Sequence, residues 1–98
     1  MIDNHIKAVL AANCEVLKNM GVTALFVFGS RNRGQHTADS DLDLFIDYAS
    51  GHAPSFLKLM TLEMNLQEEL GFPVHITTRQ ALRPEVRKAA EAEASKIF

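Results

Sequence analysis

Two apolar runs dominate the first half of the chain, VTALFVFG (residues 22–29) and DLDLFID (residues 41–47), with a polar linker of about twelve residues between them. That linker is too short for the full helical crossover that joins parallel strands, so the two runs read as strands paired in an antiparallel, hairpin-like way. The first, near residues 23–28, is continuously apolar, as expected of a strand covered on both faces. The second, near residues 41–47, alternates aspartate with apolar residues as far as Leu44; Phe45 and Ile46 then make it apolar on both faces.

Helical periodicity surrounds this pair. Over residues 2–19 the apolar or small positions Ile2, Ile6, Val9 or Leu10, Asn13 or Cys14, and Leu17 recur at three- and four-residue steps, predicting one amphipathic helix capped by Gly21. Residues 55–70 carry Phe56, Leu59, Met60, Leu62, Leu66 and Leu70, with Pro54 near the first helical position and Gly71 as the stop. FPVHITT reads as a third short strand, and RPEVRKAAEAEASKIF as a last helix entered at Pro84, its Ala/Glu-rich part a solvated face. The order is α-β-β-α-β-α.

At 98 residues the chain is a single domain, residues 1–98, with no linker or internal repeat. Its 47% hydrophobic and 22% charged residues are those of an ordinary globular protein. A net charge of −2 and a pI near 6.0 predict no non-specific binding to nucleic acid. Cys14 is the sole cysteine, the chain starts MIDNHIK rather than with a signal segment, and no apolar run has membrane-spanning length. A reducing cytoplasm is the expected compartment, with no membrane partner.

The linker carries the chemistry. Gly29 to Gly34 has the glycine spacing of a P-loop, but Gln35 and His36 stand where the phosphate-reaching lysine and the metal-bound hydroxyl belong, and the next strand leaves no length for the helix that motif needs. Asp39, Asp41 and Asp43 imitate the opening of a calcium loop, yet Leu44 occupies its glycine position and Ser50 its glutamate position. A third arrangement fits better. On an extended strand Asp41 and Asp43 share one face with α-carbons roughly 7 Å apart, so both carboxylates can meet one divalent ion, and magnesium suits such an oxygen site. Gly29 and Ser30, at the mouth of the preceding strand, would let backbone amides and a hydroxyl approach a polyphosphate, with Arg31 or Arg33 neutralising its charge. The competing reading is a polar turn, its arginines paired loosely with Asp39 or Asp41. Gly-Ser after one strand together with D-x-D opening the next favours the functional one.

GSRNRGQHTADSDLDL resembles the signature of the minimal nucleotidyltransferases of the DNA polymerase beta superfamily, Gly-Ser followed some ten residues later by Asp-x-Asp. The resemblance extends over nearly the whole element order. It implies an α+β fold with a small mixed sheet backed by helices. It also implies ATP or another nucleoside triphosphate on Gly29 and Ser30, with Arg31, Arg33 and Ser40 counted among the nucleotide-binding residues, and two magnesium ions on Asp41 and Asp43. In that chemistry one ion activates the nucleophile and the other stabilises the leaving pyrophosphate. A third carboxylate, expected within FPVHITT, is replaced by His75.

His75 leaves several readings open. It acts as an unusual base or ligand, in which case it joins Asp41 and Asp43 as a catalytic residue; or it fills the position through a hydrogen bond and catalysis is impaired, since imidazole brings no negative charge and prefers softer ions than magnesium. Asp47 lies roughly 13 Å along the strand from Asp43, too far to share an ion, and is expected to end the strand or cap a turn. His5, His36 and His52 have no ligand spacing, and Cys14 is expected to be a small core residue. Arg31 and His36 reproduce the R-x4-H spacing of certain helical RNases, but Gly34 interrupts it.

Three functions follow from different classes. The chain is an enzyme transferring a nucleoside monophosphate to an acceptor hydroxyl; or a binding module, since proteins of this resemblance pair with helical HEPN-type proteins, sometimes as antitoxins in toxin–antitoxin pairs; or a triphosphate sensor that transfers nothing. A body this small has no second domain to enclose an acceptor, so a partner protein or a second copy of the chain is expected to complete the cleft.

Overall fold

The computed structural model describes residues 3–98. It is an α+β fold with a four-stranded mixed sheet, β1 (Val22–Phe28), β2 (Leu42–Tyr48), β3 (Val74–Thr78) and β4 (Ser95–Lys96), in the order β3-β2-β1-β4. The expected antiparallel pairing of the first two strands is present, with Phe28 opposite Asp43 and Val27 opposite Leu44. β3 runs parallel to β2, placing His75 beside Asp43, and this connection does have a crossover helix, α4 (Phe56–Leu70).

Alternation along β2 divides the sheet's two faces. Leu42, Leu44 and Ile46 point to the main core with Leu25, Val27 and Val74, where Ile6, Val9 and Leu10 of α1 (Asn4–Ala12), Leu17 of α2 (Cys14–Asn19) and Leu59, Leu62 and Leu66 of α4 cover them. Phe45 points the other way and is buried too, stacked on Phe26 with ring centroids 4.7 Å apart and tilted against Phe28 at 5.6 Å. The Arg79 guanidinium lies over Phe26 and Phe45.

Several local expectations are corrected. The first helical stretch is two helices, broken at Asn13, whose Nδ2 donates to Val9 O at 2.8 Å, a side-chain bond to the preceding turn of the kind that disturbs a helix. Ile2 lies outside the described residues. Cys14 is only partly buried. In α4, Phe56 is 74% exposed and Met60 is exposed as well, so neither belongs to the core; Pro54 stands one residue before the N-cap Ser55. The linker after β1 contains a one-turn helix, α3 (Ser30–Arg33), closed by Gly34. The last helix, α5 (Pro84–Glu93), stops at Ala94, and the residues after it form β4, which pairs antiparallel with β1.

Asp47 neither ends β2 nor caps a turn. It receives two bonds from Arg79, from Nε at 2.8 Å and Nη2 at 2.9 Å, while Arg79 Nη1 reaches Glu91 of α5. The hydrogen bond to Asp47, then that to Glu91, pushes the Arg79 pKa upward, so this ion keeps its charge while it ties the end of β3 and α5 to the aromatic face of the sheet.

Candidate functional site

Gly29 follows β1 and caps α3 with φ 83° and ψ −165°, a backbone conformation that L-residues with a side chain rarely adopt. A β-carbon there would lie 2.5 Å from Asp43 Oδ2. The glycine therefore both turns the chain into α3 and lets the backbone come against the Asp43 carboxylate. Ser30 opens α3, and the first amides of a helix have no intrahelical acceptor. Backbone bonds from Arg33 N to Gly29 O at 3.1 Å and from Gln35 N to Ser30 O at 2.9 Å close the turn.

Arg31 is turned inward. It is 6% exposed, its Nε donates to Ser40 O at 2.8 Å, and its Nη2 donates to Ala38 O at 3.0 Å and Thr37 O at 3.4 Å. Its guanidinium stacks on the Phe72 ring, 3.6 Å from the centroid. These contacts hold the 37–40 segment immediately ahead of Asp41, so Arg31 shapes the site from beneath. Ser40 shares that work: its Oγ accepts from Thr37 N at 2.9 Å. Arg33 is half-exposed, with Nη1 donating to Glu93 Oε1 at 2.7 Å and Nε to Gln35 Oε1 at 3.1 Å.

Asp41, just before β2, is exposed, and Asp43 is half-buried. Burial pushes the Asp43 carboxyl above its ordinary value; the opposing pull of His75, the like charge of Asp41 and the pull of Arg33 follow in that order. His75, with 61% of its side chain exposed, lies with Nε2 3.1 Å from Asp41 Oδ2. An ionised carboxylate only accepts, so Nε2 carries the proton in this bond, and in the neutral ring Nδ1 carries the lone pair.

Gly29, Ser30, Asp41, Asp43 and His75 are thus brought to one end of the β1–β2–β3 layer, Arg33 closes α3, and Arg31 of α3 holds the supporting loop that contains Ser40. Hard oxygen donors and a desolvated carboxylate beside a second one fit an oxygen-preferring divalent cation. Among the described residues no three His, Cys, Asp or Glu side chains are grouped to hold a metal. Reasoning from sequence missed Asn32 and Glu93: Asn32 is 6% exposed and its Nδ2 donates to Glu93 O at 2.7 Å. Sixty-one residues separate the two, and no local pattern announces such a pairing.

Residues 6–97 match the model of a nucleotidyltransferase domain. The protein adenylyltransferase MntA of Thermococcus cleftensis is 34% identical over 90 residues, covering 91% of this chain and 89% of that protein. A solved structure described provisionally as a minimal nucleotidyltransferase superposes with a TM-score of 0.78 at 30% identity, over 97% of this chain and 95% of that one. A tri-AMPylated HEPN toxin of Shewanella oneidensis in complex with its MNT antitoxin provides a more distant match, with a TM-score of 0.66 at 10% identity over 94% of this chain and 71% of the matched one, a likeness of fold alone.

Proposed function

The chain belongs to the nucleotidyltransferase domain family, and from that membership we propose that it transfers AMP from ATP to a hydroxyl group on a partner protein. The observation that carries this reading is the approach of the Gly29 turn to Asp43, with the Asp41–His75 pair alongside. Phosphates and carboxylates repel, so a backbone turn built against an aspartate makes sense for a triphosphate only where a cation lies between them.

In this reading the Gly29 and Ser30 amides and the Ser30 hydroxyl hold the triphosphate. Arg33 supplies the positive charge at its edge, while Arg31 and Ser40 keep the 37–40 loop in place. Asp41 and Asp43 would hold the divalent cation, with magnesium favoured by their oxygen donors; when bound it neutralises phosphate charge and lowers the barrier to displacing pyrophosphate. His75 donates from Nε2 to Asp41 and so presents Nδ1 to accept the proton of the acceptor hydroxyl. The acceptor lies on a helical HEPN-type protein, a reading supported by the likeness to the Shewanella complex. The exposed side chains of Asp41 and His75 agree with a partner that completes the cleft.

The bond that His75 makes to Asp41 also favours a second reading, a protein that binds the HEPN-type partner but turns over poorly, because one oxygen of a cation ligand is already engaged. One experiment separates them. The purified protein is incubated with radiolabelled ATP, magnesium and the candidate partner. Labelling that falls by about 100-fold or more in His75→Ala supports the transferase with a histidine base. Copurification without labelling, with labelling gained in His75→Asp, supports the second reading. Neither labelling nor copurification with any partner sinks both.

A further inference from the structure

Two side chains of α3 converge on one residue close to the other end of the chain. Asn32 donates from Nδ2 to the Glu93 backbone carbonyl at 2.7 Å, and Arg33 donates from Nη1 to the Glu93 carboxylate at 2.7 Å. Glu93 closes α5, and just beyond it Ser95 and Lys96 pair with Val27 and Phe26 of β1, the strand that delivers Gly29. The bond to Glu93 fixes the orientation of the Asn32 amide, and among the described residues its buried Oδ1 has no hydrogen-bond partner. An unpaired buried acceptor is unfavourable.

We propose that Glu93 is a positioning residue for nucleotide binding, holding α3 through Asn32 and Arg33 so that Gly29, Ser30 and the Arg33 guanidinium meet the triphosphate in a fixed arrangement. This rests on the reading of Gly29 and Ser30 as the phosphate grip. A four-residue helix is too short to be stable by itself, so its orientation must come from tertiary ties. Arg31 supplies one set, to the loop behind it; Glu93 supplies the set that reaches Arg33. A long arginine held in advance loses less freedom when an anion arrives than one that samples many rotamers. A carboxylate that merely competed with phosphate for Arg33 would have the opposite effect, so the sign of the change distinguishes the two roles.

Glu93→Gln keeps the backbone carbonyl that accepts from Asn32 and removes only the negative charge that faces Arg33. ATP affinity by calorimetry, and KM and kcat for AMP transfer, are measured in the full chain, in this variant, in Arg33→Gln and in the double variant. Glu93→Gln is expected to weaken ATP binding and raise KM by roughly three- to tenfold with kcat within about twofold, and to add nothing in the Arg33→Gln background. Glu93→Asp, which retains the carboxylate, is expected to recover part of the affinity. Unchanged or tighter ATP binding in Glu93→Gln overturns the proposal, as does an equal loss in the Arg33→Gln background. If the unsubstituted protein binds no ATP, the phosphate-grip reading itself falls, and the role of Glu93 falls with it.

Discussion

At Gly29 the backbone and the candidate chemistry make demands on the same atom. Its φ of 83° is unfavourable for any residue with a β-carbon, and that carbon would sit 2.5 Å from Asp43 Oδ2. Gly29→Ala is therefore expected to cost about 1–3 kcal/mol of stability in a urea titration and to weaken ATP binding together, because relief requires moving Asp43. Asp43 itself works against the fold. Burial raises its pKa, so between the ordinary carboxylate value of 3.8 and the raised native value the folded state binds more protons than the unfolded chain. Stability from this group is lost as pH rises through that window, and at neutral pH the ionised Asp43 is a net cost. Asp43→Asn is expected to raise Tm at pH 7 and to flatten this part of the stability profile, while AMP transfer falls by about 100-fold or more. A variant with lower Tm at pH 7 contradicts the assigned cause.

Between residues and molecule, the elements are held by a few long polar side chains. Arg31 joins α3 to the 37–40 loop by three carbonyl bonds and to Phe72 by stacking, and a lysine reproduces neither the fork nor the planar face. Arg31→Lys is expected to lose about 2–4 kcal/mol in chemical denaturation, with faster amide exchange over residues 37–40. The antiparallel pairing of β1 and β2 was legible because the linker length excludes the alternative, and α4 because its apolar spacing is strong. The placement of the candidate site was legible where its residues are local: Gly29 and Ser30 are adjacent, and Asp41 and Asp43 follow within the same linker and strand. Much of what local pattern hid is contact between distant segments. The Ala/Glu-rich tail favours helix as far as Glu93, yet Ser95 and Lys96 answer to the open edge of β1. Asp47 read as a terminator because Arg79, its partner, lies 32 residues away. Arg31 read as a phosphate ligand for a different reason: the carbonyls it faces are only six to nine residues on, but they belong to the backbone of a loop whose course no side-chain pattern announces.

The described residues have a radius of gyration of 12.6 Å, close to the roughly 13 Å of a compact domain of about 100 residues, so one cooperative unfolding transition is expected. In such a body a ligand at one end of the sheet stabilises the whole. Saturation at a hundred times Kd contributes about 2.7 kcal/mol, which for a domain of this size raises Tm by roughly 10–20 °C. If Asp41 and Asp43 hold a divalent cation that in turn holds the triphosphate, ATP and magnesium must act together: either alone at the same concentration gives a much smaller shift, and chelation reverses the joint one. Asp43→Asn is expected to remove the joint shift even though its own starting Tm is higher, a combination that general destabilisation does not produce. A thermal shift with ATP that is the same with magnesium and with chelator would place the phosphates on the turn and arginine alone and take the carboxylates out of nucleotide binding. The measurement needs no partner protein, so it tests the nucleotide site separately from the identity of the acceptor.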